Sequence, residues 1–422
     1  EGIDAVFDAT IHRSSIAIIV ELEPAPPTMP SPIEMLAAME NAAATFEHAF
    51  GLRELCERAA RIFRQVTGFD RVMVYRFHDD GTGVVVAEDR DPALRSFLNQ
   101  HFPASDIPRQ ARALYVRNRV RVIPDIAYEP APLRPFGNDA LDMSDVALRS
   151  VSPTHLRYLA NMGVAASASV SIVRDGALWG LIACHHPTPK LLPLHARMAC
   201  RALAGSLSRQ IHAKEDAELF RERIRLRTAE DAVMLRLGSD ISLTGLFAIA
   251  GDDLARMLGA DSFAAVRGAE LFVAGRSPRH ADIRKIAAHV VDLARTVPFA
   301  TDRMAEYLPD AVACQDLASG ILAVTMATEE PTILLWFRAE QIAVVNWAGN
   351  PQKDVPVDPH TPLTPRASFE IWSEAVCGRS APWTLFEIEP AVLAAQTDDV
   401  RCAPAPPAVR DQSRTHGDDR RQ

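Results

Sequence analysis

Polar and aromatic side chains recur between residues 75 and 186 on stretches whose alternate positions are apolar, as in the wall of a ligand cavity. The set consists of Tyr75, Phe102, Tyr115, His155, Tyr158, Ser167, Ser169, His185 and His186. Any one of them alone is more often a hydrogen-bonded core residue than a ligand contact. Only four of the 45 basic residues are lysines, so an anion would meet the planar arginine fork, which suits carboxylates. Arginine–carboxylate pairing is therefore the contact to expect.

The spacing of apolar residues predicts the elements that position these side chains. Two-residue alternation predicts strands at 70–77, 84–87, 120–123, 165–173 and 178–186. Helical spacing predicts helices over 34–67, from Ser105 through Tyr115, and from Ser152 to Gly163. Residues 128–145, rich in proline, asparagine and aspartate, are predicted to form a long loop.

The strand pair that carries Ser167 and His185 contains a geometric conflict. A two-residue loop at Asp175–Gly176 would set Ser167 opposite Cys184, and His185 would then lie on the reverse face from the serines. A bulge, a longer loop or an early end of the strand must restore His185 to the serine face. The sequence therefore predicts an irregularity in this strand pair.

The N-terminal segment and a long central helix flank these elements. Residues 1–24 show a short helical pattern around Val6 and Phe7, followed by a strand-like run that breaks off in a proline-rich segment. From 191 to 237 the pattern is helical, with an apolar stripe formed by Leu203, Leu207 and Ile211. Such a stripe in a long charged helix is typical of a dimer seam.

Residues 238–396 alternate helical and strand patterns again, and 397–422 mix proline, alanine and charge as a disordered tail would. The fold class expected for the whole chain is α+β. It comprises two domains, each an antiparallel sheet flanked by helices, joined by a long helix.

Composition argues against several classes of protein. A net charge of −9 with interleaved signs leaves no basic patch for nucleic acid. No run approaches the roughly 20 apolar residues of a membrane span, and no signal-peptide pattern begins the sequence. The six scattered cysteines form no CxxC pair, which disfavours structural zinc and disulfides. We expect a cytoplasmic protein without nucleic-acid or membrane partners and without a metal.

Three stretches resemble the bilin-binding GAF domain of phytochromes. They are 102–115, which contains Pro-Ala-Ser-Asp-Ile-Pro, 148–164 and 178–186. The stretches 346–351 and 365–369 resemble the PHY domain of the same family, and 1–24 resembles the end of its PAS domain. The resemblance implies the photosensory module of a bacterial phytochrome. Its implied parts are a PAS remnant (1–24), a GAF domain (34–190), a connecting helix (191–237) and a PHY domain (238–396) with a hairpin tongue at about 345–385.

The resemblance also implies a ligand, the linear tetrapyrrole biliverdin, and a role for each matching residue. Arg121 and Arg149 match the partners of the propionates, with hydroxyl donors from two serines. Asp106 would offer its backbone carbonyl to the pyrrole N–H groups and its carboxylate to the tongue. The implied set is Tyr75, Phe102, Asp106, Ile107, Tyr115, Arg121, Arg149, His155, Tyr158, Ser167, Ser169 and His185, with Arg366 and Ser368 as tongue contacts.

Within that set, the histidines and aromatic residues have separate implied roles. His155 would flank the pyrroles and a trapped water. His185 would donate to the carbonyl of the terminal ring, while Tyr75, Phe102 and Tyr158 would shape the space in which that ring turns.

The sequence departs from the family where the pigment is attached. Bacterial phytochromes use a cysteine upstream of the PAS domain, and no cysteine precedes Cys56 here. Plant and cyanobacterial types use a cysteine just before the pocket histidine, where this chain has Thr154. Truncation of the N-terminus and non-covalent binding both account for this; truncation is favoured, and non-covalent binding is expected of the chain as it stands.

The leading hypothesis is a red/far-red photosensor that relays its signal through the tongue and the long helix. Its expected partners are a second copy of the chain and an output domain or response regulator. Histidine-kinase motifs do not follow the second domain, so no enzymatic activity is expected. The rival hypothesis is a GAF-type module that binds another ligand or serves only in dimerisation.

Overall fold

The computed structural model describes residues 5–14, 17–132, 141–236, 242–326, 331–351, 366 and 368–396, where the side chains of 390 and 392–396 are left aside. The predicted tail at 397–422 and the centre of the predicted loop at 128–145 lie outside these residues. The chain divides into two compact units. Unit 1 takes in 1–220 and 344–375, and unit 2 takes in 221–343 and 376–422.

Unit 1 is built on strands that alternate with short helices. Its strands are β1 (Phe7–Arg13), β2 (Ile18–Pro24), β3 (Arg71–Phe77), β4 (Gly83–Arg90), β5 (His101–Phe102), β6 (Val120–Ile123), β7 (Ala166–Arg174) and β8 (Ala177–His186). Its helices are α1 (Pro32–Glu47), α2 (Leu52–Thr67), α3 (Arg109–Arg117) and α4 (Pro153–Asn161). The long helix α5 (Leu194–Arg236) begins in unit 1 and continues into unit 2.

Unit 2 carries a second sheet and the remaining helices. The strands of its sheet are β9 (Ser262–Arg267), β10 (Glu270–Gly275), β11 (Phe299–Thr301), β12 (Gly320–Met326) and β13 (Thr332–Arg338). Its helices are α6 (Leu243–Met257), α7 (His280–Val290), α8 (Met304–Tyr307), a 3-10 helix (Pro309–Cys314), α9 (Gln315–Ala318) and α10 (Leu385–Gln396). The strands β14 (Ala343–Ala348) and β15 (Ile371–Val376) lie between β13 and α10 in the sequence and belong almost wholly to unit 1. The α+β class expected from the sequence is confirmed.

The sheet of unit 1 has eight strands in the order β15-β14-β5-β4-β3-β8-β7-β6. One face packs against α2 and α5, with Phe63, Val72, Val74 and Leu207 fully buried between them. The opposite face carries Met73, Tyr75 and Leu181. Strand alternation therefore separates a dry core from a second face that is free to line a site.

Strand β14 lies after the strands of unit 2 in the sequence but belongs almost wholly to unit 1. The sequence assigns its residues to the start of the tongue of the second domain, and β14 lies in the sheet of unit 1, where Trp347 pairs with His101 of β5 in parallel. Local alternation predicts that a segment is a strand and does not specify its partner.

The N-terminal segment is a β-hairpin, so the helical pattern predicted around Val6 and Phe7 is wrong. Strand β1 pairs with β2 over their whole length, from Phe7 opposite Pro24 to Arg13 opposite Ile18. Pairing with a partner strand overrides a short local helical pattern, because propensity is only a weak bias. Strand β2 thereby gains the neighbour that a lone strand lacks.

The apolar stripe of α5 has a different use from the predicted dimer seam. Leu203, Leu207 and Ile211 are at most 2% exposed and belong to the core of unit 1. An apolar stripe predicts a covered face and leaves open whether the cover comes from the same chain. Among the described residues, α5 and the other helices include none long and apolar enough to cross a membrane.

Two glycines let Tyr75 approach its neighbours. A Cβ atom on Gly83 would stand 2.1 Å from the Tyr75 hydroxyl, and one on Gly180 would stand 2.3 Å from its carbonyl oxygen. Neither approach is sterically possible for a larger residue without movement of Tyr75. Gly83 therefore leaves room for the Tyr75 ring, and Gly180 leaves room for the Tyr75 backbone.

Glu215 on α5 ties the helix to the sheet of unit 1. Its carboxylate accepts hydrogen bonds from Arg174, from Arg76 at 3.3 Å and from the indole N–H of Trp179 at 3.1 Å. Glu215→Ala removes this shared acceptor, although Arg174 keeps Asp175 at 3.3 Å, and should lower the free energy of unfolding by about 2–3 kcal/mol in a urea titration. The matched control is Asp216→Ala, whose side chain is 54% exposed. An equal loss in both variants would contradict this role for Glu215.

Candidate functional site

A cavity of about 530 Å³ opens on the second face of the unit 1 sheet. Strands β3, β7 and β8 form its floor, and α3, α4 and the segment 149–152 form its walls. Of the residues predicted from the sequence, the structure brings thirteen to this cavity: Tyr75, Phe102, Asp106, Ile107, Tyr115, Arg121, Arg149, His155, Tyr158, Ser167, Ser169, His185 and Arg366. Side chains more than 200 positions apart thus meet at one site.

Aromatic rings form one end of the cavity. Tyr75 packs edge-on against Phe102, with ring centroids 5.7 Å apart. Tyr158 stacks on His155 at 6.0 Å and meets Phe369 edge-on at 5.0 Å. Such offset and edge contacts are favourable arrangements for rings and hold their planes in place. This end is therefore a shaped apolar surface.

The strands β7 and β8 place the serines and His185 on one face. Ser167 lies opposite His185 and Ser169 opposite Ala183, after a register shift between Ile172 and Val173. The predicted irregularity is confirmed, and a β-bulge is its physical form. Without the extra residue, His185 would point into the core on the reverse face.

Asp106 connects α4 to the tongue. Its Oδ2 accepts a hydrogen bond from the Tyr158 hydroxyl at 3.0 Å, and its Oδ1 lies 3.6 Å from Nη2 of Arg366. The Asp106 side chain is 8% exposed and that of Arg366 is 2% exposed. Burial, followed by the charge of Asp106, raises the pKa of Tyr158, so the phenol stays a donor. A buried carboxylate needs such partners to compensate for its lost hydration.

Arg366 also fixes the tongue backbone. Its Nη1 donates to the carbonyl oxygens of Ala348 and Gly349, the latter at 3.1 Å. Asn161 of α4 donates to the Arg366 carbonyl at 2.7 Å. The residue thus holds two segments of the chain against the cavity.

Arg121 and Arg149 form the cationic end of the cavity. Arg121 donates to the carbonyls of Ala147 at 2.7 Å and of Arg149, while Arg149 donates to the carbonyl of Ser144 at 2.8 Å. Burial, followed by the charge of Arg149, lowers the pKa of Arg121 to about 10. Arg121 therefore stays charged near neutral pH. Two desolvated cations side by side favour an anionic ligand.

Two predicted residues lie away from this cavity. Ser368 and His186 line a second cavity of about 470 Å³, which shares His185 and Met162 with the first. The Ser368 hydroxyl accepts from the backbone N–H of Glu370, and His186 Nδ1 lies 3.3 Å from a carboxylate oxygen of Asp70. His186 follows His185 in a strand, and alternation sends it to the other side.

The cavity has further lining residues outside the set of ligand contacts predicted from the sequence. They are Met73, Val85, Ser105, Pro108, Gln110, Ala111, Leu114, Asn118, Ile123, Ser150, Val151, Ser152, Thr154, Leu159, Met162, Leu181 and Ala183. Helical spacing could have found Ala111, Leu114 and Asn118, because they share a face with Tyr115. Val85 carries no such signal, since a fully buried valine in a strand is indistinguishable from core.

His185 should make stability depend on pH. Burial lowers its pKa to about 3, and the charges of Arg71 and His155 act in the same direction. The unfolded chain takes up this proton near pH 6.5 while the folded chain does not. The stability contribution of neutral His185 is therefore complete above pH 6.5 and is lost as pH falls from there towards 3. The expected loss is up to about 1.4 kcal/mol per pH unit.

The measurement is urea unfolding of the wild type and of His185→Gln at steps between pH 7 and 4. The glutamine variant keeps a polar side chain but cannot take up the proton. Its free energy of unfolding should fall less steeply as pH decreases. Parallel curves for the two proteins would show that His185 is not the group responsible.

Both parts of the chain match known families. Residues 51–211 match the GAF domain family, and residues 226–397 match the phytochrome region family, PHY. The GAF match contains strands β3 to β8, which carry the cavity, and the PHY match contains most of unit 2 together with the strands β14 and β15. Together with the relatives below, they show that the chain belongs to the phytochrome family.

Among sequence relatives, cyanobacterial phytochrome B of Nostoc sp. is 36% identical over 92% of this chain and 52% of its own length. A bacteriophytochrome of Xanthomonas campestris is 38% identical over 81% of this chain and 56% of its own length. The chain thus spans about half the length of these relatives.

Among solved structures, the chain is similar to a bacteriophytochrome from the photosynthetic bacterium R. palustris, with a TM-score of 0.81 and 39% identity. The match covers 94% of this chain and 80% of that one. The Stigmatella aurantiaca phytochrome photosensory core module gives a TM-score of 0.79 and 37% identity, over 95% and 81% of the two chains. The resemblance to phytochromes drawn from the sequence is confirmed.

The residues of the cavity fit a linear tetrapyrrole with two propionates. The volume lies within the range of about 300–1,000 Å³ typical of small-molecule sites. Arg121 and Arg149 supply cationic partners at one end and aromatic rings enclose the other. Within the described residues, the buried Nδ1 of His185 has no hydrogen-bond partner. A polar group left in that state needs a ligand or a water.

Proposed function

We propose that this chain is the photosensory part of a cytoplasmic red/far-red receptor and holds biliverdin in the unit 1 cavity. The observation that carries the proposal is the contact of Asp106 with both Tyr158 and Arg366 at the cavity wall. It joins a ligand site directly to the tongue. A cavity used only for storage of a ligand would not need a buried charged link to a distant segment.

Each lining residue has a task in this proposal. Arg121, Arg149, Ser167 and Ser169 bind the propionates, and His185 donates to the terminal ring. The bound bilin supplies light absorption and a double bond that isomerises. The protein then holds or releases the Asp106–Arg366 contact, which shifts the population of tongue conformations.

Non-covalent binding is part of the proposal. No cysteine is among the cavity-lining residues of the described chain, and Thr154 is the residue next to His155. Cys56, Cys184, Cys200 and Cys314 are buried elsewhere. Burial raises the pKa of Cys56 and of Cys200 to about 12, so neither is a reactive thiolate.

The proposal includes a second copy of the chain and an output partner. Leu203, Leu207 and Ile211 are used in the core, so a second chain would meet other apolar positions of α5. Those that are large and exposed are Met198, Leu219, Phe220, Ile224, Met234 and Leu235. A homodimer would form there, and a response regulator or output domain would receive the signal. Sedimentation of the wild type and of Phe220→Glu tests the dimer.

Absorption spectroscopy tests the central proposal. The purified chain is mixed with biliverdin, and its spectrum is recorded before and after red and far-red light. A red or far-red band that interconverts under light is the expected result. Zinc fluorescence on a denaturing gel should show no attached pigment. A chain that gives no such band at any biliverdin concentration would overturn the photosensor and favour a GAF-type module with another ligand.

A further inference from the structure

In the N-terminal hairpin the usual burial pattern is reversed: strand β2 exposes apolar side chains and buries charged ones. On β2 the apolar Val20 and Leu22 are more than half exposed, whereas the carboxylates Glu21 and Glu23 are only 7% and 6% exposed. Burial of a carboxylate is costly unless charged or hydrogen-bonding partners replace water. Each of the two residues must therefore have a specific partner within unit 1.

The two carboxylates have different partners. Glu23 forms a buried ion pair with Arg197 of α5, whose Nη1 donates to Glu23 Oε2 at 2.8 Å. Glu21 accepts from two consecutive backbone amides, that of Ala147 at 3.1 Å and that of Leu148 at 2.8 Å. Glu23 thus attaches the hairpin to a helix, while Glu21 binds the loop that precedes α4.

That loop is the segment on which both arginines of the cavity depend. Arg121 donates to its carbonyls at Ala147, Arg149 and Ser150, and the loop itself carries Arg149. The Leu148 amide that Glu21 binds belongs to the same peptide group as the Ala147 carbonyl that Arg121 uses. The Ala147 amide belongs to that of the Val146 carbonyl, 3.4 Å from Arg121 Nη1. The peptide dipoles are thereby aligned between an anion on one side and a cation on the other, which is a mutually strengthening arrangement.

The charge of Glu21 also acts on the two arginines, in addition to its hydrogen bonds to the loop. Burial lowers the pKa of Arg121 and of Arg149, and the negative charge of Glu21 opposes that effect on both. His12 of β1 lies beside Glu21, with Nδ1 3.7 Å from Oε1. The Glu21 carboxylate therefore favours the charged form of both arginines, and it does so from outside the described lining of the cavity.

We propose that Glu21 is a positioning residue for the carboxylate-binding end of the cavity: it clamps the amides of Ala147 and Leu148 and so sets Arg121 and Arg149. This rests on the proposed function, in which those arginines bind the propionates. The hairpin then contributes to ligand recognition through one side chain and to stability through another. Glu23 offers a matched control on the same strand, equally buried and without contact to the loop.

The test compares Glu21→Gln with Glu23→Gln. An amide at position 21 retains one acceptor but turns an NH2 group towards a backbone donor. For each protein, affinity is measured for biliverdin and for its dimethyl ester, which lacks the carboxylates. We expect the preference for biliverdin to fall at least about fivefold in Glu21→Gln. Glu23→Gln should keep the preference for biliverdin, even if its thermal midpoint falls by as much as that of Glu21→Gln.

A second measurement is independent of the pigment. Hydrogen exchange of the Ala147 and Leu148 amides in the pigment-free protein should be at least about tenfold faster in Glu21→Gln than in the wild type or Glu23→Gln. If Glu21→Gln does not fold, Glu21→Asp, which is too short to reach both amides, takes its place in both measurements.

The outcomes separate the two proposals. Unchanged amide exchange in the Glu21 variant overturns the clamp, whatever the pigment does. Faster exchange with an unchanged preference for biliverdin, or an equal loss of preference in both glutamine variants, overturns the positioning role. A wild type that binds neither pigment overturns the proposed function, and the exchange data then decide the clamp alone.

Discussion

Asp106→His should leave pigment binding largely intact and abolish most of the light-driven spectral change. The imidazole cannot both accept from the Tyr158 hydroxyl and attract the Arg366 guanidinium. Hydrogen bonds to charged groups contribute about 1.5–3 kcal/mol each, so the balance of tongue conformations should shift roughly ten- to hundredfold. The measurement is the extent of photoconversion after saturating illumination, at equal pigment occupancy.

Asp80→Asn is the control for that variant. Asp80 is an exposed carboxylate in the turn between β3 and β4, where it accepts from the backbone and hydroxyl of Thr82. Its loss should leave photoconversion at the level of the wild type. Full switching in Asp106→His would refute the role given to that carboxylate, because the cavity would then signal without it.

Arg338→Ala should lower the free energy of unfolding of unit 2 by about 3–5 kcal/mol, because it leaves a buried partner charge uncompensated. The Arg338 side chain, 8% exposed, donates to Glu387 at 2.6 Å and to the carbonyls of Leu258 at 2.7 Å and Pro382 at 2.8 Å. Its guanidinium also lies 3.8 Å from the centre of the Trp383 ring. Chemical denaturation followed by tryptophan fluorescence is the measurement.

An exposed ion pair on the same sheet provides the comparison for Arg338. Arg267 lies 2.7 Å from Glu270, with the two side chains 36% and 55% exposed. Arg267→Ala should cost at most about 1 kcal/mol, since solvent screens such pairs. Similar losses in the two variants would mean that burial does not set the importance of Arg338.

Much of the cavity could be predicted because its floor follows strand alternation. Ser167 and Ser169 are two residues apart, and the conflict between the Asp175–Gly176 loop and His185 already required a bulge. The family resemblance added the remaining assignments, including Arg366, which no local pattern connects to Asp106. The structure brings these side chains to one cavity; their roles towards a pigment stay predictions.

The contacts that could not be predicted are those between residues far apart in the sequence. An apolar stripe on α5 predicts burial, but only the fold reveals that the same chain covers Leu207. The short helical pattern around Val6 and Phe7 is overridden by the pairing of β1 with β2, which begins at Phe7. Nothing near Glu21 in the sequence indicates that its carboxylate reaches amides 126 positions away. Each case depends on long-range contacts, to which local periodicity is blind.

The short pairing of β14 with β5 indicates which part of the unit 1 sheet should open first. Strand β5 is only two residues long, and β14 joins it at the Trp347–His101 pair, whereas β3 and β8 share a register of six. Segments with few backbone contacts open at a small fraction of the global free energy. We therefore expect the tongue strands to open as a separate cooperative unit while the cavity floor stays folded, which would give the proposed photosensor a movable part without a cost to its binding site.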